Sequence, residues 1–252
     1  DAPSPPSPEP LTNRISHTYA SDMNRQLLVS RKPHPSDCPI VLLPDAPDTG
    51  SGLSEIIEKL GESRPVYTID LPGTGGSDPL NNKTPAVEEF ATSISRAIRS
   101  LGLKSFDLYG VGVGAVIALA VSQQHPKSIK SLILDSLEIH DAETRRKRRK
   151  HSDVTITPAH DGSHLVQAWT YVRDHELYSP WFDRTKKAIR HITPADPDEI
   201  HRRTFEILKA PKTFWLPEHA TISFPLEKAL KNVPKRTFVC STKDANASKC
   251  LT

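Results

Sequence analysis

Cysteine is scarce in this chain of 252 residues, which holds only Cys38, Cys240 and Cys250. Three scattered cysteines exclude a disulfide framework, and the absence of a Cys-x-x-Cys pair argues against a zinc site. No apolar run approaches the roughly 18 residues that a membrane-spanning helix needs. We therefore predict a soluble protein with no membrane segment, no metal site and no cofactor.

Glycine is also sparse, with 11 residues against 23 prolines, and five of the prolines fall within residues 1–10. This composition predicts a Pro-rich flexible arm over residues 1–20. The first residue is Asp1 rather than methionine, so we expect N-terminal processing. The compartment stays open, with the cytoplasm slightly favoured.

Net charge is small, because 33 Lys and Arg stand against 30 Asp and Glu, giving +3. The charge is uneven, since residues 145–150 read Arg-Arg-Lys-Arg-Arg-Lys. Such a run repels itself and favours a solvated surface linker. A nucleic-acid partner is the less favoured interpretation, because no aromatic residues interleave with the run.

Apolar runs and helical spacings alternate along most of the chain. Strands that alternate with helices and are apolar throughout indicate an α/β fold with a mainly parallel sheet covered on both faces. The predicted strands are 26–30, 40–43, 66–70, 106–109, 131–135 and 237–241. The predicted helices are 53–60, 84–101 with Thr84 as cap and Pro85 at its first position, and 113–124.

No strand pattern occurs between residues 138 and 234, where helical patterns follow one another at 165–172, 185–192 and 197–208. We expect residues 21–137 and 235–252 to form the α/β core and residues 138–234 to form a helical cap. A cap inserted at this point covers the carboxyl ends of the strands, where ligands of α/β proteins bind.

The segment Gly110-Val111-Gly112-Val113-Gly114 lies between a predicted strand and a predicted helix. A sharp turn of this kind occurs as the nucleophile elbow G-x-S-x-G. It also occurs as the phosphate-binding turn G-x-G-x-x-G/A, which places a pyrophosphate at the helix N-terminus. The residues of the turn leave both interpretations open.

The surroundings of this turn resemble the α/β-hydrolase superfamily from about residue 26 to residue 241. The motifs that carry the resemblance are Val-Tyr-Thr-Ile-Asp-Leu-Pro-Gly (66–73), Gly-Ser-Asp-Pro (76–79), the strand-turn-helix segment 107–120, His125-Pro126 and Ser-Leu-Ile-Leu-Asp (131–135). The segments 161–165, Trp169, Arg173-Asp174 and 179–181 are similar to the cap of one subgroup.

The resemblance implies that Gly112 occupies the vacant nucleophile position, so no covalent acyl intermediate can form there. The usual His-Gly of the oxyanion loop is replaced near Pro44-Asp45. Asp244 stands at the acid position, yet all eleven histidines precede it, the last being His219. Glycine at the elbow is also similar to the N-myc downstream-regulated proteins, a non-enzymatic branch, although the cap motifs differ from theirs.

We therefore predict a protein without a Ser-His-Asp triad that binds a small organic ligand under the cap, with an anionic ligand as one option. The predicted ligand-binding residues are Asp45, Ala46, Val111, Val113, Trp169, Arg173 and Trp181. Arg173 is chosen because a guanidinium grips a carboxylate with two hydrogen bonds. His164 is predicted as an acid-base group for non-covalent lyase or cyclase chemistry, oriented by Asp161 or Asp174.

Two other functions remain open. The first is an active hydrolase with a displaced nucleophile or a truncated C-terminus. The second is a dinucleotide-binding protein, because Gly110-x-Gly112-x-x-Ala115 satisfies the fingerprint and Asp135 ends the following strand. The sequence leaves the oligomeric state open.

Overall fold

Seven strands form one sheet in the computed structural model, which describes residues 14–190 and 196–240. They are β1 (Ser16–Asp22), β2 (Arg25–Lys32), β3 (Ile40–Leu43), β4 (Val66–Ile69), β5 (Phe106–Val111), β6 (Ile129–Asp135) and β7 (Thr237–Cys240). Their spatial order is β1-β2-β4-β3-β5-β6-β7. β2 is antiparallel to both of its neighbours, and the remaining neighbours pair in parallel.

The parallel centre of the sheet follows from the apolar runs of the sequence. Every residue of β3 and β4 is buried, as expected for parallel strands that are covered on both faces. The predicted α/β class with a mainly parallel sheet flanked by helices is confirmed.

β1 was not predicted, and it corrects the boundary of the predicted arm. Residues 16–20 belong to a hairpin in which Ser16 lies opposite Arg31 and Asp22 lies opposite Arg25. Five of its seven residues are exposed, so the strand carries little apolar patterning that the sequence could show. Residues 1–13 of the predicted arm lie outside the described residues.

Eight α-helices accompany the sheet within residues 14–190 and 196–240. They are α1 (Ser54–Leu60), α2 (Val87–Ser100), α3 (Val113–Gln124), α4 (Ala142–His151), α5 (Ser163–Leu177), α6 (Pro197–Lys209), α7 (Leu216–Ser223) and α8 (Leu226–Leu230). Among these, none is both long enough and apolar enough to cross a bilayer.

The predicted start of α2 is wrong by two residues, because Pro85 was expected at its first position. The helix begins at Val87, and its N-terminus is closed by the Glu89 carboxylate, which accepts a hydrogen bond from the Ala86 N–H at 3.0 Å. Thr84 and Pro85 therefore precede the helix instead of capping it. The apolar stripe of α2 is buried as its spacing predicts.

Five helices, α4 to α8, lie between β6 and β7, and we call them the inserted helices. The basic run 145–150 lies inside α4 and is not a linker. The predicted helix over 185–192 is reduced to a single 3₁₀ turn at Lys186–Ala188, and residues 191–192 lie outside the described residues. α4, α7 and α8 were not predicted.

α3 fixes the geometry at the centre of the molecule. Residues 113–122 are all buried, so the helix is surrounded by apolar side chains on every face. It packs against α2, β5 and β6. Its N-terminus at the carboxyl end of β5 therefore has little freedom to move.

Candidate functional site

The turn between β5 and α3 is a sharp elbow centred on Gly112. This residue has φ +55° and ψ −117°, a conformation that L side chains rarely adopt. The flanking glycines serve close packing: a Cβ at Gly110 would overlap the Gly114 backbone, and a Cβ at Gly114 would overlap the Leu43 carbonyl. The elbow therefore lies directly against the end of β3.

Asp45 occupies the space above this elbow. The parallel pairing of β3 with β5 sets Leu43 opposite Gly110, so the residues after Leu43 lie beside the turn. Asp45 Oδ1 accepts hydrogen bonds from the Val113 N–H at 2.7 Å and from the Ala46 N–H at 3.0 Å. A Cβ added at Gly112 would overlap the Asp45 carboxylate. Asp45 thus lies where an elbow side chain would be.

The setting of Asp45 raises its pKa above the ordinary value. The side chain has accessible surface on its cavity side and is surrounded by protein elsewhere. Loss of hydration raises the pKa of Asp45 to about 6, although the hydrogen bond from Val113 and the charge of Arg203 oppose this rise. The carboxyl group therefore changes its charge close to neutral pH.

A cavity of about 790 Å³ opens above the elbow, between the strand ends and the inserted helices. Asp45, Ala46, Gly112 and Val113 form its floor on the sheet side. Its apolar walls include Val116, Ile139, Trp181, Ile222, Phe224 and Leu226. This size and mixed lining fit an organic ligand.

Glu218 and His175 are two of the further titratable groups that line the cavity. Burial raises the pKa of Glu218 to about 7, and the Arg148 charge opposes this rise. Burial also lowers the pKa of His175 well below its ordinary value, and nearby arginines lower it further. His175 stacks on Trp181 with ring centroids 5.6 Å apart, and its buried Nε2 has no hydrogen-bond partner among the described residues. The cavity therefore holds groups that can exchange protons.

One wall of the cavity is basic. Arg148, which is 19% exposed, donates to Glu138 at 3.3 Å and to Glu218 at 3.4 Å. The other guanidinium groups in the lining are those of Arg145, Arg146, Arg149 and Arg190. All but Arg190 come from α4, so the basic run that was expected to form a linker forms part of the cavity wall.

The structure brings together five of the predicted site residues. Asp45, Ala46, Gly112, Val113 and Trp181 all line the cavity.

The predicted residues Val111, Trp169, Arg173 and His164 are not part of the lining. Val111 packs on the opposite apolar cluster of the sheet, and Trp169 packs against the main core. Asp244 lies outside the described residues.

Arg173 and His164 are engaged elsewhere. The Arg173 guanidinium donates from Nε and Nη2 to Asp174 Oδ1, at 3.0 and 2.7 Å. The His164 ring accepts a hydrogen bond from the Ala159 N–H at 3.1 Å, which closes the start of α5. Neither side chain lines the cavity, and each is held by a neighbouring residue instead.

Sequence reasoning missed His175, Glu218 and the arginines of α4. The helical spacing of α4 carries no apolar stripe, since the helix buries none of its residues. The hydrogen bonds from the elbow N–H groups to Asp45 could have been predicted from the sequence, because Asp45 follows a buried strand and replaces the expected His-Gly.

Within the described residues, no group of three or more His, Cys, Asp and Glu is arranged to hold a metal ion.

Comparison with known proteins identifies the class to which the fold and the elbow belong. The family described as the α/β hydrolase fold matches residues 39–173, which is more than half of the chain. The chain therefore belongs to the α/β hydrolase fold family.

Two curated lipases are similar to part of this chain. A human (lyso)-N-acylphosphatidylethanolamine lipase is 30% identical over 130 residues, which cover 49% of this chain and 38% of the lipase. The match to the bovine lipase of the same name is 31% identical over the same length. The chain thus matches well under half of the length of these curated relatives.

Solved structures share the fold at low identity. A hydrolase from Pseudomonas aeruginosa PA01 superposes with a TM-score of 0.69 at 14% identity, covering 93% of this chain and 85% of the other. The enol-lactonase from Burkholderia xenovorans LB400 gives a TM-score of 0.68 at 14% identity, covering 93% and 86%. At this identity the likeness is one of fold.

Proposed function

We propose that this chain binds a small organic ligand in the cavity above the elbow and forms no covalent acyl intermediate. In enzymes with the G-x-S-x-G elbow, the serine at the centre attacks the substrate. Gly112 stands at that centre, between β5 and α3, and it has no side chain to attack with. We place the inserted helices, residues 138–234, as the cap and residues 21–137 and 235–252 as the core.

The observation that carries this proposal is the position of the Asp45 carboxylate. The oxyanion hole of these hydrolases uses the N–H after the nucleophile and an N–H from the loop that follows β3. Val113 and Ala46 supply these two N–H groups here, and both already donate to Asp45 Oδ1. An internal anion therefore occupies the place where a tetrahedral intermediate would need stabilisation.

Non-covalent acid-base chemistry is compatible with the same site. Asp45, with a pKa of about 6, and Glu218, with a pKa of about 7, both face the cavity. Groups with pKa values near the working pH are suited to accept and donate protons. A lyase or cyclase step requires such transfers without a covalent enzyme intermediate.

One observation supports the competing hydrolase function. Ser136 follows β6, lines the cavity and has φ +53°, an unusual conformation for a residue other than glycine. Its hydroxyl donates to Asp135 Oδ1 at 3.1 Å, and no histidine among the described residues makes a hydrogen bond with it. The lipase names of the curated relatives also favour this alternative. Ser136 would be its displaced nucleophile.

The dinucleotide alternative is disfavoured by the same carboxylate. A pyrophosphate bound by this fingerprint rests on the N-terminus of the helix after the turn. Asp45 accepts the Val113 N–H at that N-terminus, so a second anion there would be repelled. Quenching of tryptophan fluorescence by NAD(P) would contradict this conclusion.

A fluorophosphonate probe with intact-mass detection tests the absence of a nucleophile. The wild-type protein is expected to keep its unmodified mass and to show no turnover on a panel of esters. An adduct lost in Ser136→Ala would establish the displaced-nucleophile hydrolase instead. An adduct at any other residue would equally contradict the proposal.

Ligand binding is tested with Nile red, a neutral fluorescent probe of apolar cavities. Ala142→Trp places a large side chain in the lining of the cavity and is expected to weaken Nile red binding at least tenfold. Lys150→Trp, on the same helix but outside the lining, is the matched control and should bind like the wild type. Equal binding by all three proteins would contradict a ligand cavity.

A further inference from the structure

The basic residues of α4 separate by type around the helix. Its four arginines, at positions 145, 146, 148 and 149, all line the cavity, and Lys147 and Lys150 do not. Lys147 instead pairs with Glu143 at 2.8 Å on the exposed side. If the basic run 145–150 served only to keep α4 solvated, its arginines and lysines would not need to lie on different sides of the helix.

Among the described residues, Arg148 has acidic partners, and the other three arginines of α4 have none. Arg148 is paired with Glu138 and Glu218. Arg149 donates to the neutral hydroxyl of Ser223. Arg145 and Arg146 are exposed, and neither side chain makes a hydrogen bond or ion pair with any residue of 14–190 or 196–240. Positive charge thus faces the cavity without a partner among those residues.

The type of cation also matters. A guanidinium presents a planar fork of donors that binds a phosphate or carboxylate with two hydrogen bonds, whereas an ammonium acts as a point charge. The same cavity carries the apolar side chains of Val113, Val116, Trp181 and Phe224. A ligand that satisfies both parts of the lining has an anionic head and an apolar body.

Resting on the ligand-binding function proposed above, we infer that Arg145 and Arg146 form an anion subsite for the phosphate group of an alkyl or acyl phosphate whose apolar body fills the cavity. This subsite replaces Arg173 as the anion contact, because the Arg173 guanidinium is already engaged by Asp174. Either a soluble organic phosphate or a lipid headgroup could supply this chemistry.

The test uses octyl phosphate, 1-octanol and inorganic phosphate, with binding followed by tryptophan fluorescence and by calorimetry. The test variant is Arg145→Gln/Arg146→Gln. The matched control is Lys147→Gln/Lys150→Gln, which removes the same charge from the same helix outside the cavity. Within the part of the chain that the structure describes, neither arginine has a partner whose loss would unfold the chain, and circular dichroism of both variants checks the fold.

Octyl phosphate is expected to bind the wild type at least tenfold more tightly than either 1-octanol or inorganic phosphate. The arginine variant should lose about tenfold in octyl phosphate affinity, equivalent to ~1.4 kcal/mol, with 1-octanol binding unchanged. The lysine variant should bind all three as the wild type does.

Three results would overturn the subsite. Equal losses in the arginine and lysine variants would show general charge attraction, and an unchanged arginine variant would show that these residues do not contact the anion. Inorganic phosphate binding as tightly as octyl phosphate would show that the apolar body contributes nothing. Because 1-octanol reports the cavity alone, its failure to bind would contradict the proposed function, separately from the subsite.

Vesicles of phosphatidylcholine with phosphatidic acid distinguish the source of the phosphate. Sedimentation with such vesicles that is lost only in the arginine variant supports the subsite with a lipid headgroup as ligand. Sedimentation lost equally in the lysine variant would overturn it in favour of surface attraction.

Discussion

At the scale of single residues, the site depends on two neighbours, Gly112 and Asp45. Gly112 provides the backbone conformation of the elbow, and Asp45 fills the space and takes the hydrogen-bond donors that an elbow side chain would share. The two residues depend on each other, because a side chain at position 112 would displace the Asp45 carboxylate. Introducing serine at position 112 is therefore not expected to give hydrolase activity.

Gly112→Ser is predicted to destabilise the protein by more than a matched glycine substitution. Gly102 has φ +76° with no atom within 4 Å of an added Cβ, so Gly102→Ser reports the backbone cost alone, about 1–2 kcal/mol. Gly112→Ser adds the displacement of Asp45 from two N–H donors and should cost at least ~1 kcal/mol more. Urea unfolding measures both.

The double variant Asp45→Gly/Gly112→Ser serves as the control for this collision. It is expected to recover the additional loss, because the carboxylate is absent. If Gly112→Ser and Gly102→Ser are equally destabilised, Asp45 does not occupy the elbow as described.

Asp45 also predicts a pH dependence of stability. Asp45 has exposed surface on its cavity side, but loss of hydration beside the elbow raises its pKa from the ordinary 3.8 to about 6. Over this range the folded state therefore retains a proton that the unfolded chain has released. The contribution of Asp45 to the free energy of unfolding therefore decreases as pH rises from about 4 to about 6. Asp45→Asn should remove this decrease in urea unfolding measured across that range.

The exposed Asp37 supplies the control, since Asp37→Asn should keep the wild-type slope. Asp70, whose pKa burial raises to about 6, and Glu218 act with the same sign and set the slope that remains. A wild-type slope in Asp45→Asn would show that its carboxyl is not held in a protonation-sensitive setting.

At the scale of elements, α4 is the helix on which the anion subsite depends. It buries no residue, so tertiary packing holds it weakly. The Asp141 side chain accepts the Thr144 N–H at 2.7 Å and caps its N-terminus. Local capping therefore matters more for α4 than for α3, which is buried on all faces.

Asp141→Ala is predicted to fray α4 and to weaken the binding of octyl phosphate. Loss of such a cap costs about 1 kcal/mol, and the arginines one turn further on lose their fixed positions. Hydrogen exchange of residues 142–151 should accelerate, and affinity should fall severalfold, while Asp141→Asn keeps the cap and both properties.

Asp161→Ala is the control for this prediction. Asp161 accepts the Ser163 N–H at 3.0 Å at the start of α5 and does not line the cavity. Its replacement should accelerate exchange at the start of α5 without changing octyl phosphate binding. Unchanged hydrogen exchange in Asp141→Ala would contradict the prediction, because it would show that this cap does not stabilise α4.

The sequence predicted the elements whose signals are local. The apolar runs of β3 and β4 and the stripe of α2 report burial directly, so their positions follow from residue spacing. β1 and α4 carry no such stripe, because β1 is an exposed edge strand and α4 buries no residue and turns its arginines towards the cavity. β1 is placed by its pairing with β2, and α4 is placed by its contacts with α7.

For the candidate site, the sequence likewise predicted the residues beside a local signal and not those that distant packing brings in. Gly112, Val113 and Asp45 lie next to a recognisable turn and strand, so chain order places them together. Glu218 and His175 come from α7 and α5, and only the packing of the inserted helices brings them to the cavity. Arg173 was assigned by its chemistry alone, and the adjacent Asp174 engages it instead.

At the scale of the whole molecule, the hairpin of β1 and β2 is joined to α2 by a buried charge remote from the cavity. Asp22 accepts hydrogen bonds from Ser93 at 2.6 Å and from Arg25 at 2.7 Å. Burial opposes its ionisation, but these bonds and the arginine charge keep the pKa of Asp22 below its ordinary value. The stabilisation is therefore present above about pH 4 and is lost as the pH falls further.

Asp22→Ala is predicted to lower the free energy of unfolding by about 3 kcal/mol, because it leaves Arg25 and Ser93 without their partner. Nile red and octyl phosphate should bind as in the wild type under native conditions, since no cavity residue is altered. Urea unfolding and fluorescence titration measure the two properties. A matched fall in both would show that the hairpin and the cavity are energetically coupled.

The central claim is that the Asp45 carboxylate holds the two elbow N–H groups, and an NMR pH titration of the ¹⁵N-labelled protein tests it most directly. The amide signals of Val113 and Ala46 are expected to shift together with an apparent pKa near 6, and both shifts should vanish in Asp45→Asn. Signals of these two amides that do not respond to pH between 4.5 and 7.5 would contradict the account.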